Sequence, residues 1–72
     1  MEVVVNGATR DLPEGTTVSG LLERLAIAPE RVVVELNLTI LKRAQCPVTA
    51  LKDGDRVEIV QFVGGGAWPK TS

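Results

Sequence analysis

Apolar and polar positions alternate from the start of the chain. Met1, Val3 and Val5 fall on one face of an extended segment. Asn6-Gly7 follows, a dipeptide that accepts the positive φ angles of a two-residue hairpin turn. Ala8-Thr9-Arg10-Asp11-Leu12 is the predicted return strand, short and polar as suits a sheet edge. Pro13-Glu14-Gly15 ends it. The period then changes. Val18, Leu21, Leu22 and Leu25 stand at i, i+3, i+4 and i+7, which puts them on one face of a helix, with Glu23 and Arg24 on the other side. Thr16 or Thr17 offers a capping hydroxyl, and Pro29 is the predicted stop. Gly20 weakens the helix by about 1 kcal/mol relative to alanine, and its missing side chain is expected to admit close packing.

Alternation returns in Arg31-Val32-Val33-Val34-Glu35-Leu36, a third strand with Val32, Val34 and Leu36 on one face. Asn37 opens a turn, and Ile40-Leu41 is a short fourth strand at most. Residues 42–50, with Pro47 inside, read as an irregular crossing. Lys52-Asp53-Gly54-Asp55 is a turn. From Arg56 or Val57 a run rich in β-branched residues continues to Val63 and breaks into Gly64-Gly65-Gly66. In this last strand Val57, Ile59, Gln61 and Val63 form one phase, and Glu58, Val60 and Phe62 the other.

The order is hairpin, helix, strand, short strand, strand. It predicts an α+β domain with a mixed sheet of four or five strands and one main helix on one face. That is the β-grasp, or ubiquitin-like, arrangement, in which the first and last strands lie side by side in the middle. The C-terminal arm then leaves from the centre of the sheet. If Val57 and Ile59 point to the helix, Val60 and Phe62 lie on the other face. That face is either a docking patch or is covered by the 42–50 segment.

Size and charge narrow the function. Seventy-two residues make one small domain, without room for a large substrate pocket of its own. A net charge of −1, with scattered basic residues, argues against electrostatic binding to nucleic acid or to an anionic membrane. Phe62 and Trp68 are the only aromatic residues, too few for a base-stacking platform. No apolar run is long enough to span a bilayer, and Met1 opens a strand-like segment, so the cytoplasm is the expected compartment.

The same sequence disfavours an enzyme. It contains no histidine, the commonest general base and metal ligand. Cys46 stands alone and reads as a small, partly buried side chain or, with a depressed pKa, as a nucleophile beside Lys42 and Arg43. Asp53 and Asp55 flank a glycine and read as turn formers rather than metal ligands. Asp11 and Glu14 have no obvious partners. Gly64-Gly65-Gly66 lacks the Lys-Ser/Thr and the helix of a phosphate-binding loop. The glycines read either as a flexible linker or as a substrate arm. Such an arm, free of Cβ atoms, can thread a narrow channel into the active site of another protein.

Several segments together resemble the ThiS family of small sulfur carriers of thiamin thiazole synthesis. They are Val3-Val4-Val5-Asn6-Gly7, Thr17-Val18 with Leu21-Leu22, Val32-Val33-Val34-Glu35-Leu36-Asn37, Arg43, Leu51-Lys52-Asp53-Gly54-Asp55, and Val57-Glu58-Ile59-Val60-Gln61-Phe62-Val63-Gly64-Gly65-Gly66. The resemblance covers nearly all of residues 1–66, and the Asp-Gly-Asp turn with the following strand and glycines is its most specific part. Carriers for molybdopterin synthesis share the fold and the Gly-Gly end, but this ending is closer to ThiS. The resemblance implies a protein co-substrate, not a catalyst, with no cofactor of its own. A ThiF-like adenylyltransferase would use ATP to activate the carboxylate of Gly66. A sulfur donor such as a cysteine desulfurase would supply the thiocarboxylate sulfur, and a ThiG-like thiazole synthase would accept it. Gly65 and Gly66 match the terminal pair, Gly64 completes the arm, and Val60, Phe62 and Val63 match partner-binding positions.

Three features depart from the family. An aromatic residue is common where Cys46 stands, and a proline where Lys42 stands. The family pattern also ends at glycine, whereas this chain continues through Ala67-Trp68-Pro69-Lys70-Thr71-Ser72. Residues 1–66 therefore read as the carrier domain and 67–72 as a flexible tail. The tail is removed by a processing peptidase, is an addition foreign to the natural chain, or marks a lost carrier function. The rival functions are a carrier for molybdopterin or another sulfur metabolite, and a ubiquitin-like interaction module without acyl transfer.

Overall fold

The computed structural model of the chain describes residues 1–61. Five strands form one mixed sheet: β1 (Glu2–Val5), β2 (Ala8–Asp11), β3 (Val32–Leu36), β4 (Thr39–Leu41) and β5 (Arg56–Gln61). Their spatial order is β2-β1-β5-β3-β4. The first and last strands are neighbours at the centre and run parallel, while the other pairs are antiparallel. One α-helix among the described residues, α1 (Val18–Arg24), covers one face. The β-grasp expectation is met.

The alternation of the sequence maps onto the two faces. Val3 and Val5 of β1, Val57 and Ile59 of β5, and Val32 and Val34 of β3 are buried together with Val18, Leu21 and Leu22 of α1. Leu12, Cys46 and Leu51 complete this core, and Met1, Leu25, Ile27, Leu36 and Leu41 pack at its margin. Asn6 and Gly7 have φ angles of 49° and 83°, the pair of positive values that a type I′ hairpin needs. The β3–β4 hairpin repeats the geometry with Asn37 at 50° and Leu38 at 70°. Thr17, not Thr16, caps α1: its hydroxyl accepts from the Gly20 N–H at 3.0 Å. A Cβ at Gly20 would sit 3.4 Å from the Thr17 hydroxyl and 3.5 Å from the Thr16 methyl, which is ordinary contact. The expectation that Gly20 admits a close approach is therefore not needed.

Two further expectations change. The helix ends at Arg24, well before Pro29, which instead begins a 3₁₀ turn, Pro29–Arg31. The stop is a main-chain motif. The Ile27 N–H donates to the Leu22 carbonyl, and the Ala26 N–H to that of Glu23, each at 3.0 Å, around Ala26 at φ 57°. This is a Schellman ending with alanine where glycine is usual. Because the left-handed region costs a Cβ-bearing residue roughly 1 kcal/mol or more, Ala26→Gly is expected to stabilise the fold. The gain, net of the extra freedom of the unfolded chain, is about 0.5–1 kcal/mol and reads out as a higher urea midpoint at unchanged slope.

The second change concerns residues 42–50. Arg43–Val48 forms a 3₁₀ helix with Pro47 inside it. Gln45 folds back so that its side chain accepts from the Lys42 N–H at 2.8 Å. This helix lies against α1 and buries Cys46 in the core, so among the described residues the opposite sheet face is open.

Candidate functional site

β5 is the element that leads to the glycines, and the fold places it between β1 and β3. Its inward residues are fixed by burial: Val57 is fully buried and Ile59 nearly so. Its outward residues are Arg56, Glu58 and Val60. Val60 is 48% exposed and lies opposite half-buried Val33 of β3. Ile40 of β4, opposite Glu35, is also exposed on this side. Glu58 and Glu35 are cross-strand neighbours, so two carboxylates stand beside the apolar positions. Like charges in that register weaken a sheet slightly.

β5 is gripped at its start, Arg56, and again at Ile59 by asparagine side chains that the sequence marks only as turn residues. At the start, the Asn37 N–H donates to the Arg56 carbonyl at 2.9 Å, and its Oδ1 accepts from the Arg56 N–H at 3.0 Å. Nearer the end, the Asn6 N–H donates to the Val57 carbonyl at 2.9 Å. The Asn6 side chain then pairs with both main-chain groups of Ile59: Oδ1 accepts from its N–H at 2.7 Å, and Nδ2 donates to its carbonyl at 3.3 Å. The available signal was the repetition itself, an asparagine directly after a strand at two places in the chain.

The residues considered for other chemistry take structural roles. The Asp53 carboxylate accepts from the Glu2 N–H at 2.7 Å. Asp55 accepts from the Lys52 N–H at 2.8 Å and from the Asn37 amide at 3.0 Å. Both aspartates are turn formers, and among the described residues no group of three or more His, Cys, Asp or Glu is placed to hold a metal ion. Asp11 and Glu14 do have a partner, since both face the N-terminal ammonium, at 3.3 and 3.9 Å. Cys46 is buried, its thiol directed to the Lys42 carbonyl at 3.7 Å, and burial pushes its pKa up. A raised pKa and a covered sulfur are the opposite of what a nucleophilic thiolate needs. A groove of about 510 Å³ between β2 and α1 is lined by Thr9, Arg10, Asp11 and Arg24 over Leu12, Leu21 and Leu25, and no base among these residues stands ready to activate the Thr9 hydroxyl. Among the described residues no helix is long and apolar enough to cross a membrane.

Phe62, Val63, Gly64, Gly65 and Gly66, together with the 67–72 tail, lie outside the described residues. The structure therefore describes the platform under the arm: a central strand held at Arg56 and Ile59, with Val60 exposed on a face that no described residue covers.

Comparison with known proteins gives a consistent picture. The model of the ThiS family matches residues 3–66. The chain is 38% identical over 64 residues to the sulfur carrier protein ThiS of Thermus thermophilus, covering 89% of this chain and 98% of that one. It is 39% identical over 69 residues to a thiazole synthase of Magnetococcus marinus, covering 96% of this chain but 21% of the synthase. The chain thus spans about a fifth of the synthase's length. That match takes in 69 of the 72 residues, so it extends beyond Gly66. The crystal structure of a thiamine biosynthesis protein (ThiS) from Geobacter metallireducens superposes with a TM-score of 0.79 at 41% identity, covering 90% of this chain and 99% of that one.

Proposed function

The chain belongs to the ThiS family, and from that premise we propose that it is the sulfur carrier of a thiamin thiazole pathway, acting through Gly66 once residues 67–72 have been removed. The observation that carries this reading is the placement of β5, central and held at Arg56 and Ile59, with Val60 exposed on the open face. Gly66 lies five residues beyond Gln61, and such a length reaches at most about 18 Å when extended. A partner that docks against Val60 on the open face, and against Phe62 and Val63 further along the chain, would therefore receive Gly66 in a site set back from its own surface. Gly64 and Gly65 offer no Cβ to obstruct a narrow entry.

The chemistry belongs to the partners. A ThiF-like adenylyltransferase binds ATP; a carboxylate oxygen of Gly66 attacks the α-phosphorus and pyrophosphate leaves. The acyl adenylate then carries AMP, a far better leaving group than oxide. A persulfide on a donor such as a cysteine desulfurase relay displaces AMP to form an acyl disulfide. A thiol reductant then cleaves the S–S bond, is itself oxidised to a disulfide, and leaves a thiocarboxylate on Gly66. A ThiG-like thiazole synthase takes that sulfur. The likeness to part of a thiazole synthase supports this last partner, because a carrier and its acceptor gain effective concentration when joined in one chain. That match also runs past the glycines, which supports a tail native to the chain.

Intact-mass measurement on protein purified from its native cell tests the proposal. The expected result is a species ending at Gly66, partly heavier by the exchange of one oxygen for sulfur. A population that ends only at Ser72, with no thiocarboxylate, would overturn it.

A further inference from the structure

We propose that Asn6 is a positioning residue for the carrier reaction: its carboxamide fixes the direction in which β5 leaves the sheet towards Gly66. This rests on the carrier reading above.

β1 ends at Val5, and the chain turns away through Asn6 and Gly7. Up to that point β5 receives main-chain partners from β1: the Val4 N–H donates to the Asp55 carbonyl and the Asn6 N–H to that of Val57, each at 2.9 Å. The next groups of β5 facing this side are those of Ile59. The Asn6 side chain meets both of them, at 2.7 and 3.3 Å. It stands where the next peptide unit of β1 would have stood. The period of two along a strand turns the main-chain groups of Gln61 to the same side, beyond Asn6. Ile59 is thus the last described residue of β5 tied on both sides. Val60 and Gln61 keep only their register with Val33 and Val32 of β3. Without the carboxamide the last tie on the β1 side retreats to Val57, and the stretch held from one side grows at the base of the arm.

Acyl activation needs the Gly66 carboxylate aligned with a phosphorus atom, and a misplacement of about 1 Å at a reacting centre can cost roughly 10²-fold in rate. A swing at the root of an arm is magnified at its tip. Asn37 provides an internal control. It occupies the same position in the other type I′ turn, and its side chain accepts from the Arg56 N–H and donates to Asp55, at the start of β5 and away from the arm.

The experiment compares the unsubstituted chain, Asn6→Gly and Asn37→Gly, all ending at Gly66, in ATP–pyrophosphate exchange catalysed by the adenylating enzyme. Glycine keeps each turn's positive φ and removes only the side-chain grip. Both variants are expected to lose similar stability in urea. Asn6→Gly alone should lower kcat, by about tenfold, with KM for the carrier held within about twofold because the docking face is untouched. It alone should also lower the ¹⁵N order parameters of Val60 and Gln61. Asn6→Asp keeps the acceptor for the Ile59 N–H, loses the donor, and should fall between; it also serves if the glycine variant fails to fold. Equal kcat losses in the two glycine variants, or an unchanged kcat in the Asn6 variants, overturns the proposal. Should the unsubstituted chain not be adenylated, the carrier reading fails, and the order parameters still decide whether Asn6 directs the strand exit.

Discussion

Leu22→Ala is expected to remove about 3 kcal/mol of folding stability, within the roughly 2–5 kcal/mol span of buried leucine truncations. Leu22 is 1% exposed and sits in the core between α1 and the sheet. The change deletes methyl and methylene groups from a place closed on all sides, so the neighbours can collapse only in part. Helix propensity does not offset this, because leucine is already close to alanine on that scale. The loss is large for this chain in particular. At roughly 0.05–0.15 kcal/mol per residue, a domain of 72 residues holds on the order of 4–11 kcal/mol in total. Urea denaturation followed by circular dichroism should show a strongly lowered midpoint. Leu38→Ala is the control, since Leu38 is 91% exposed at the tip of the β3–β4 hairpin and should change stability by no more than about 0.5 kcal/mol. Equal effects at the two positions would mean that the helix does not cover the sheet as described.

That contrast shows what was legible in the sequence. Burial follows a period, and a period can be read without coordinates. Val18, Leu21 and Leu22 mark the inner face of α1, and Val3, Val5, Val57 and Ile59 mark the inner face of the central strands. The centre of the sheet was legible from the order of elements, because few arrangements let one helix cover a mixed sheet built in that order. Features set by single dihedrals or by contacts between distant residues were not legible. Ala26 terminates α1 in a conformation for which alanine carries no signal. Arg43–Val48 winds into a 3₁₀ helix around Pro47, and its anchor, Cys46, is apolar by environment more than by type. The ion pairs of Asp11 and Glu14 need a hairpin to bring them to the N-terminal ammonium.

The candidate site divides along the same line. Val60 was expected on the uncovered face because of its phase with Val57 and Ile59, and it is there. The choice between an open face and one covered by residues 42–50 could not be made from periodicity, since either arrangement buries the same valines. The grip of Asn6 on Ile59 spans 53 positions in sequence. It was hidden because a turn signal already gave Asn6-Gly7 a sufficient local reason. A residue with one adequate explanation can carry a second that only tertiary structure discloses.

A chain ending at Gly66 should support ATP–pyrophosphate exchange with the adenylating enzyme, whereas the chain ending at Ser72 should give none above background. Other substitutions scale a rate; this difference removes a reactant. In the longer chain the Gly66 carbonyl is bonded to the Ala67 nitrogen. An amide oxygen is a weak nucleophile, and its attack on the α-phosphorus would leave a charged imidate in place of a neutral mixed anhydride. Val60 and Val33, which offer the docking face, lie in the sheet that both chains contain, and Ala67 is seven residues beyond Val60. The longer chain should therefore still dock, and it should inhibit exchange competitively with the shorter one. Inhibition without turnover separates a blocked precursor from a protein that has lost its partner. Absence of both would favour lost carrier function, and exchange at equal rates with the two chains would show that the enzyme itself opens the Gly66–Ala67 bond or that activation occurs elsewhere. Mass spectrometry of the carrier after the reaction distinguishes these, because cleavage during turnover leaves a product ending at Gly66, whereas activation at another carboxylate leaves the chain at full length.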